Sequence, residues 1–193
     1  MENLLKDIPE RTGVFVSGGA DSSLLLYMLC QAGHTCVPLT IDRTARHHQL
    51  PYARTVVDWI QQYYPDQLED HHIQTVSDDN IVAERRAICD ALELEYDIDT
   101  WVNGMTKNPP VKFVSNRERD TRRDTDLAWK NGNNIRPFYQ LDKIDIIQLY
   151  NNMCITELLD ISFSCETSDP ACGVCWWCEE RTWALNEFSA NTG

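Results

Sequence analysis

"GVFVSGGADSSLLLYMLCQAG", residues 13–33, decides the fold. It opens as a short apolar run that suits a buried strand. Ser17, Gly18 and Gly19 interrupt the run, and a leucine-rich segment follows that reads as a helix ended by Gly33. Asp21 or Ser22 is the expected N-cap. A strand that turns straight into a helix brings the helix N-terminus to the carboxyl edge of the sheet, where open α/β sheets bind ligands. Unpaired N–H groups and the positive end of the helix dipole favour an anion there. Gly18 and Gly19 let backbone approach a ligand without a Cβ clash. Ser17, Ser22 and Ser23 add hydroxyl donors, and Asp21 could hold a magnesium ion that in turn holds phosphates.

Two familiar phosphate loops do not fit. The G-x-x-x-x-G-K-[ST] loop needs a lysine that this stretch lacks, and the G-x-G-x-x-G dinucleotide fingerprint is absent. The plain alternative is a Gly-Gly turn that happens to precede a helix.

Outward from this stretch, strand-like and helix-like segments alternate. "TCVPLTI" reads as strand two, "HHIQTV" as strand three and "YDIDTWVNG" as strand four, ending at Gly104. Between them, "PYARTVVDWIQQYY" reads as a helix with Pro51 in its first turn, and "DDNIVAERRAICDALEL" as a helix opened by acidic residues. Such alternation predicts a parallel sheet with helices on both faces. Residues 105–137 break the pattern and read as an irregular insertion with one short helix around 117–130. "LDKIDIIQLYNNM" is a further helix, with Ile144, Ile147 and Leu149 as its apolar positions, and an amphipathic helix about 177–189 closes the chain. The expected division is a nucleotide-binding domain over 1–160 with a metal-binding segment, 161–193, packed on it.

Among 193 residues, 42% are hydrophobic, enough for a real core, and the formal net charge is −13. A surface so acidic repels nucleic acid on average, so none is expected as a partner. Arg117, Arg119, Arg122 and Arg123 cluster, but Glu118, Asp120 and Asp124 interleave with them, as on a solvated helix face. No apolar run approaches the ~20 residues of a membrane span. The N-terminus lacks the pattern of a signal peptide, so a cytoplasmic protein is expected.

Cys30, Cys36, Cys89 and Cys154 lie scattered in apolar surroundings and read as buried thiols. Cys165, Cys172, Cys175 and Cys178 instead form C-x6-C-x2-C-x2-C, with Gly173 relieving the turn. That clustering favours a metal site in a reducing compartment over a disulfide framework. Four thiolates suit a closed, structural zinc shell, with an iron–sulfur cluster or plain buried thiols as alternatives. The pairs His47–His48 and His71–His72 read as solvated or hydrogen-bonded, because neighbours on a strand point to opposite faces.

"SGGADS", residues 17–22, resembles the S-G-G-x-D-S signature of the PP-loop ATP pyrophosphatases. The resemblance implies the adenine nucleotide alpha hydrolase-like fold (the HUP type) and cleavage of ATP between its α and β phosphates, with adenylation of a substrate oxygen. It accounts for the missing lysine, since the loop would hold departing pyrophosphate. Lys143, Ile146, Ser164, Cys165, Cys172, Gly173, Cys175, Cys178 and Arg181 follow the order seen in the 7-cyano-7-deazaguanine synthases, which this chain is similar to over nearly its whole length. "TARHHQ" keeps Arg46 and His47 of that family's G-Q-R-H element without its Gly-Gln pair, and residues 105–137 depart from its base-recognition segment.

The similarity implies conversion of 7-carboxy-7-deazaguanine and ammonia to the nitrile, with Mg and ATP. Ser17, Gly18, Gly19, Asp21, Ser22 and Ser23 would bind pyrophosphate and magnesium, and Thr40, Ile41 and Asp42 would lie by the adenosine. Arg46 and His47 would contact phosphate or carboxylate. Lys143 would neutralise developing charge, unless it is a surface lysine. Arg181 would do so too or pair structurally. Family relatives are often homodimers, and Trp176, Trp177 and Trp183 could supply an interface. The competing readings are a PP-loop ligase or amidase for another carboxylate, a tRNA-modifying PP-loop enzyme, and a non-catalytic nucleotide-binding module stabilised by zinc.

Overall fold

The computed structural model describes residues 2–110, 123 and 127–192. Helix α1 spans Glu2–Leu5, β1 Arg11–Phe15, α2 Ala20–Gln31 and β2 Thr35–Arg43; a 3-10 turn, Thr44–Gln49, leads into α3, Leu50–Tyr63. Then come β3, His72–Val76, α4, Ile81–Tyr96, and β4, Trp101–Val102. A hairpin of β5, Lys130–Asn131, and β6, Asn134–Ile135, precedes α5, Lys143–Asn152, α6, Thr156–Ile161, and α7, Trp176–Thr192. The six strands form one sheet in the order β3-β2-β1-β4-β6-β5, parallel except for the β5–β6 pair.

Alternation along β1 divides the core. Val14 and Val16 face the cluster that holds α2, α3, α5 and α6, with Leu24, Ile60, Ile146 and Leu158 fully buried. Phe15 faces the other way, among Val37, Leu39, Trp101 and the inner side of α4. Gly13 leaves room for the Trp101 indole: a Cβ there would lie 2.4 Å from the ring. One face thus carries most of the helices and the other carries α4. The chain leaves β1 for β2 and later returns across α4 to β4 on the opposite side of β1. That reversal opens a crevice at the carboxyl ends of β1 and β4.

Several sequence expectations change. The fourth strand shrinks to Trp101–Val102, because Tyr96 ends α4 and Asp97 turns left-handed at φ +52. Gly19, not Asp21 or Ser22, occupies the N-cap position of α2, with no side-chain cap. The buried face of α5 is Lys143, Ile146, Ile147 and Tyr150, so Ile144 and Leu149 sit beside the core, not in it. Cys154 is exposed, whereas Cys30, Cys36 and Cys89 are buried. The helix expected around 117–130 falls mostly outside the described residues, and its last position, Lys130, is strand. Among the described residues no helix is long and apolar enough to cross a membrane.

Candidate active site

The loop after β1 is held by its own side chains and by three neighbours, α3, Phe163 and Gly104. Ser22 Oγ accepts from the Ser17 N–H at 3.1 Å and donates to the Gly19 carbonyl at 3.1 Å, and Ser17 Oγ lies 3.1 Å from Ser22 Oγ. Gly18 sits at φ +78, and a Cβ there would meet Ala53 N of α3 at 2.6 Å. The Gly18 carbonyl accepts from the Phe163 N–H at 2.8 Å. Gly104 lets the exit of β4 press on the loop, since a Cβ would lie 2.7 Å from the Asp21 carbonyl. Both glycines are therefore required by close approach. Ser23 is fully buried and donates to the Gly19 carbonyl at 2.8 Å, so it braces the helix start.

Two cavities meet at this loop. The smaller, about 270 Å³, lies against Ser17, Gly19, Thr40, Asp42, Arg46 and Phe163. The larger, about 650 Å³, has an apolar wall of Phe15, Leu39 and Ile41 and a rim that includes Arg43, Arg85 and Gly104. Ser17, Asp21, Ser22, Ile41, Arg43 and Trp177 line both.

Lys143 is the decisive residue of the junction. Asp142 and Asp145 form a capping box that fixes the first turn of α5, with Asp142 Oδ1 accepting from the Ile144 N–H at 2.9 Å. Tyr150, one face down the same helix, donates to the Ala20 carbonyl at 2.7 Å and ties α5 to the start of α2. Lys143 is consequently buried, not a surface lysine, and its Nζ lies 2.6 Å from each Asp21 carboxylate oxygen. Behind it stands Glu180 of α7, fully buried, with Oε2 4.0 Å from Lys143 Nζ and Oε1 accepting from Arg123 Nη2 at 3.0 Å. Arg123 also donates to the Thr106 and Lys107 carbonyls and packs on Trp177. This corrects the reading of Arg123 as part of a solvated helix face; Arg117, Arg119 and Arg122 lie outside the described residues. Four alternating charges thus run from the loop into the interior. Glu180 and Arg123 were missed as site residues, since their pairing spans 57 positions and no local pattern marks it.

The segment after β2 gathers the other expected residues. Arg46 pairs with Glu166, and burial pulls its guanidinium below the usual range, against the raising pull of that carboxylate. His47 points out to solvent and its Nδ1 lies 2.9 Å from Asp42, whose carboxylate also accepts from Thr75 at 3.0 Å. Asp42 is therefore already engaged, and His47 does not line either cavity. Thr40 donates to the Val16 carbonyl at 2.7 Å and receives His71 Nε2 at 2.8 Å; burial pushes His71 down to about 4, so it is neutral near pH 7. His72 lies 2.9 Å from the Tyr96 hydroxyl, and His48 and Gln49 reach the Cys165 carbonyl at 3.2 and 3.0 Å. Arg181 pairs structurally: it donates to the Leu159 and Ser162 carbonyls at 2.7 and 3.0 Å and lines neither cavity.

The four C-terminal cysteines come together, all Sγ atoms lying within 4.8 Å of one another. Two of the edges measure 3.6 Å (Cys165–Cys172) and 3.9 Å (Cys165–Cys175). A tetrahedral zinc with ~2.3 Å bonds to sulfur needs edges of about 3.8 Å. Burial pushes Cys165 up, but N–H groups of Cys172, Ser168 and Thr167 aim at its sulfur and hold it at about 6. Those donors suit thiolates. The residues therefore fit a structural metal ion. The three tryptophans named as interface candidates are used within the chain: Trp176 is buried, Trp177 lines both cavities and Trp183 packs on the core.

The sheet order, the loop at the switch point and the C-terminal cysteine cluster define a fold of the adenine nucleotide alpha hydrolase-like type, as expected from the sequence. No family model matches the sequence, and no curated protein matches it. Among solved structures the chain is similar to NMN synthetase from Francisella tularensis, with TM-score 0.51, 12% identity, and 97% of this chain and 87% of that chain covered. It also matches a predicted subunit of tRNA methyltransferase from Methanocaldococcus jannaschii, with TM-score 0.40, 16% identity, and 73% and 74% of the two chains covered. Identities this low speak for fold alone.

Proposed function

We propose that the chain is an ATP-dependent ligase that splits ATP between the α and β phosphates and transfers AMP to a carboxylate. The observation that carries this reading is the junction of the Ser17–Ser22 loop with the buried Asp21–Lys143 pair, between two cavities. The nucleoside would lie along the apolar wall of Phe15, Leu39 and Ile41, and its phosphates would cross the loop toward Arg46. Asp21 would hold the magnesium that screens the phosphates, and the magnesium would polarise them for attack. Lys143, out of solvent and fixed by its capped helix, would face the charge that develops as pyrophosphate leaves. Arg46 would meet the same charge from the opposite wall. The cysteine shell has four protein ligands and so no open position. It would hold the Phe163–Glu166 wall in place and take no part in chemistry.

For the acceptor we assign 7-carboxy-7-deazaguanine, with ammonia as nucleophile. The support is the order of Lys143, Ile146, Ser164, the four cysteines and Arg181 along the chain. The first ATP would convert the carboxylate to an acyl-adenylate and pyrophosphate. Ammonia would displace AMP with loss of a proton, giving the amide. A second ATP would adenylate the amide oxygen, releasing pyrophosphate and one N–H proton, and loss of AMP with the remaining N–H proton would leave the nitrile.

Mass spectrometry after incubation with ATP, ammonia and the 7-carboxy compound tests this assignment. The expected result is the 7-cyano compound with two AMP formed per nitrile. Adenylation of other carboxylic acids in preference to this one would overturn the acceptor and leave the ATP chemistry standing.

A further inference from the structure

Among the described residues, two buried atoms of the charge row have no hydrogen-bond partner, Arg123 Nη1 and Glu180 Oε2. Glu180 is fully buried, and its two oxygens differ: Oε1 accepts from Arg123, whereas Oε2 has no hydrogen-bond partner among the described residues. A buried carboxylate oxygen left without a donor is costly and asks for an explanation. Lys143 Nζ lies 4.0 Å from Oε2 and at present gives both of its short contacts to Asp21. Asp21 lines both cavities, Lys143 the smaller and Arg123 the larger, whereas Glu180 reaches neither. Its carboxylate cannot hold a divalent cation well while an ammonium sits 2.6 Å from both oxygens, because the two cations would repel.

We propose that Glu180 is the second seat of Lys143. When magnesium and nucleotide arrive at Asp21, the ammonium swings by about 1 Å to Glu180 Oε2, a distance within ordinary side-chain adjustment and enough to make a hydrogen bond. The two states keep the count of buried charges constant. Without ligand, Lys143 neutralises Asp21. With ligand, the metal takes that place and Lys143 completes Glu180. Arg123 holds Glu180 in position from the far side, through its bonds to the Thr106 and Lys107 carbonyls. Glu180 is thus a positioning residue: it touches neither cavity and acts through Lys143. The inference rests on the nucleotide reading of the loop.

The test uses the non-cleavable α,β-methylene analogue of ATP with the full chain. In Glu180→Gln, Arg123 takes the amide oxygen and the amide NH2 faces Lys143, so the ammonium stays on Asp21. The magnesium concentration needed for half-saturated analogue binding should rise about tenfold, the worth of one charge-assisted hydrogen bond, while binding without metal stays the same. A purely structural Glu180 would move both alike, and that result overturns the inference. Should the variant not fold, the wild-type crystal structure with magnesium and analogue decides. The second seat requires Lys143 Nζ within about 3 Å of Glu180 Oε2. Lys143 remaining on Asp21 beside a bound metal overturns the inference and leaves the nucleotide reading intact. Failure of the wild-type protein to bind the analogue at all overturns both.

Discussion

The Ser17–Ser22 loop and the Cys165–Cys178 segment face each other across the smaller cavity, and they are ordered by opposite means. The loop is closed by its own hydroxyls and clamped between α3, Phe163 and Gly104. The cysteine segment has no regular element before Trp176 and a core of sulfur atoms. Each holds a glycine with positive φ, Gly18 at +78 and Gly173 at +73, yet only Gly18 is hemmed in. The loop is rigid by packing. The segment's own packing is a cluster of sulfur atoms, so an ion joining its thiolates would supply most of its rigidity.

Removing that joint should have the largest effect. Structural zinc contributes on the order of 10 kcal/mol to small segments of this kind. Chelation, or Cys165→Ser with Cys178→Ser, should bring amide hydrogen exchange across residues 165–178 to the rate of an unfolded chain while β1 stays protected. Unchanged protection there would mean that packing alone orders the segment.

Substitution of the two glycines sharpens the contrast on a smaller scale. Gly18→Ala combines a left-handed backbone with a Cβ 2.6 Å from Ala53 N, and should cost about 3 kcal/mol, or roughly 10 °C in Tm. Gly173→Ala has nothing within 4 Å of its new Cβ and carries the backbone term alone, about 1 kcal/mol or roughly 3 °C. Equal melting shifts would break the distinction between the two regions.

The same contrast explains what was legible in the sequence. The loop is local: strand, Gly-Gly turn and helix lie within twenty-odd residues, so their order alone predicts the crevice. The cysteine spacing is local too. The buried partners of Lys143 are not. Glu180 reads as one acid among many in "CEERTWALNEF", and Arg123 as one base among interleaved acids, until α7 lies along α5. The β5–β6 hairpin did carry a signal, since Gly132 and Asn133 make a two-residue turn with Gly132 at φ +61. Strands of two residues leave little else to read. Tyr96 and its neighbours looked strand-like by composition, but helical packing of α4 against Leu39 and Trp101 overrode that preference.

The central claim is that the loop serves cleavage between the α and β phosphates, and phosphorus NMR of an ATP reaction tests it most directly. With the acceptor and ammonia present, the account predicts AMP and pyrophosphate in equal amounts, falling about 10²-fold or more in Asp21→Ala. Accumulation of ADP and inorganic phosphate, or an Asp21→Ala variant as active as wild type, would contradict it.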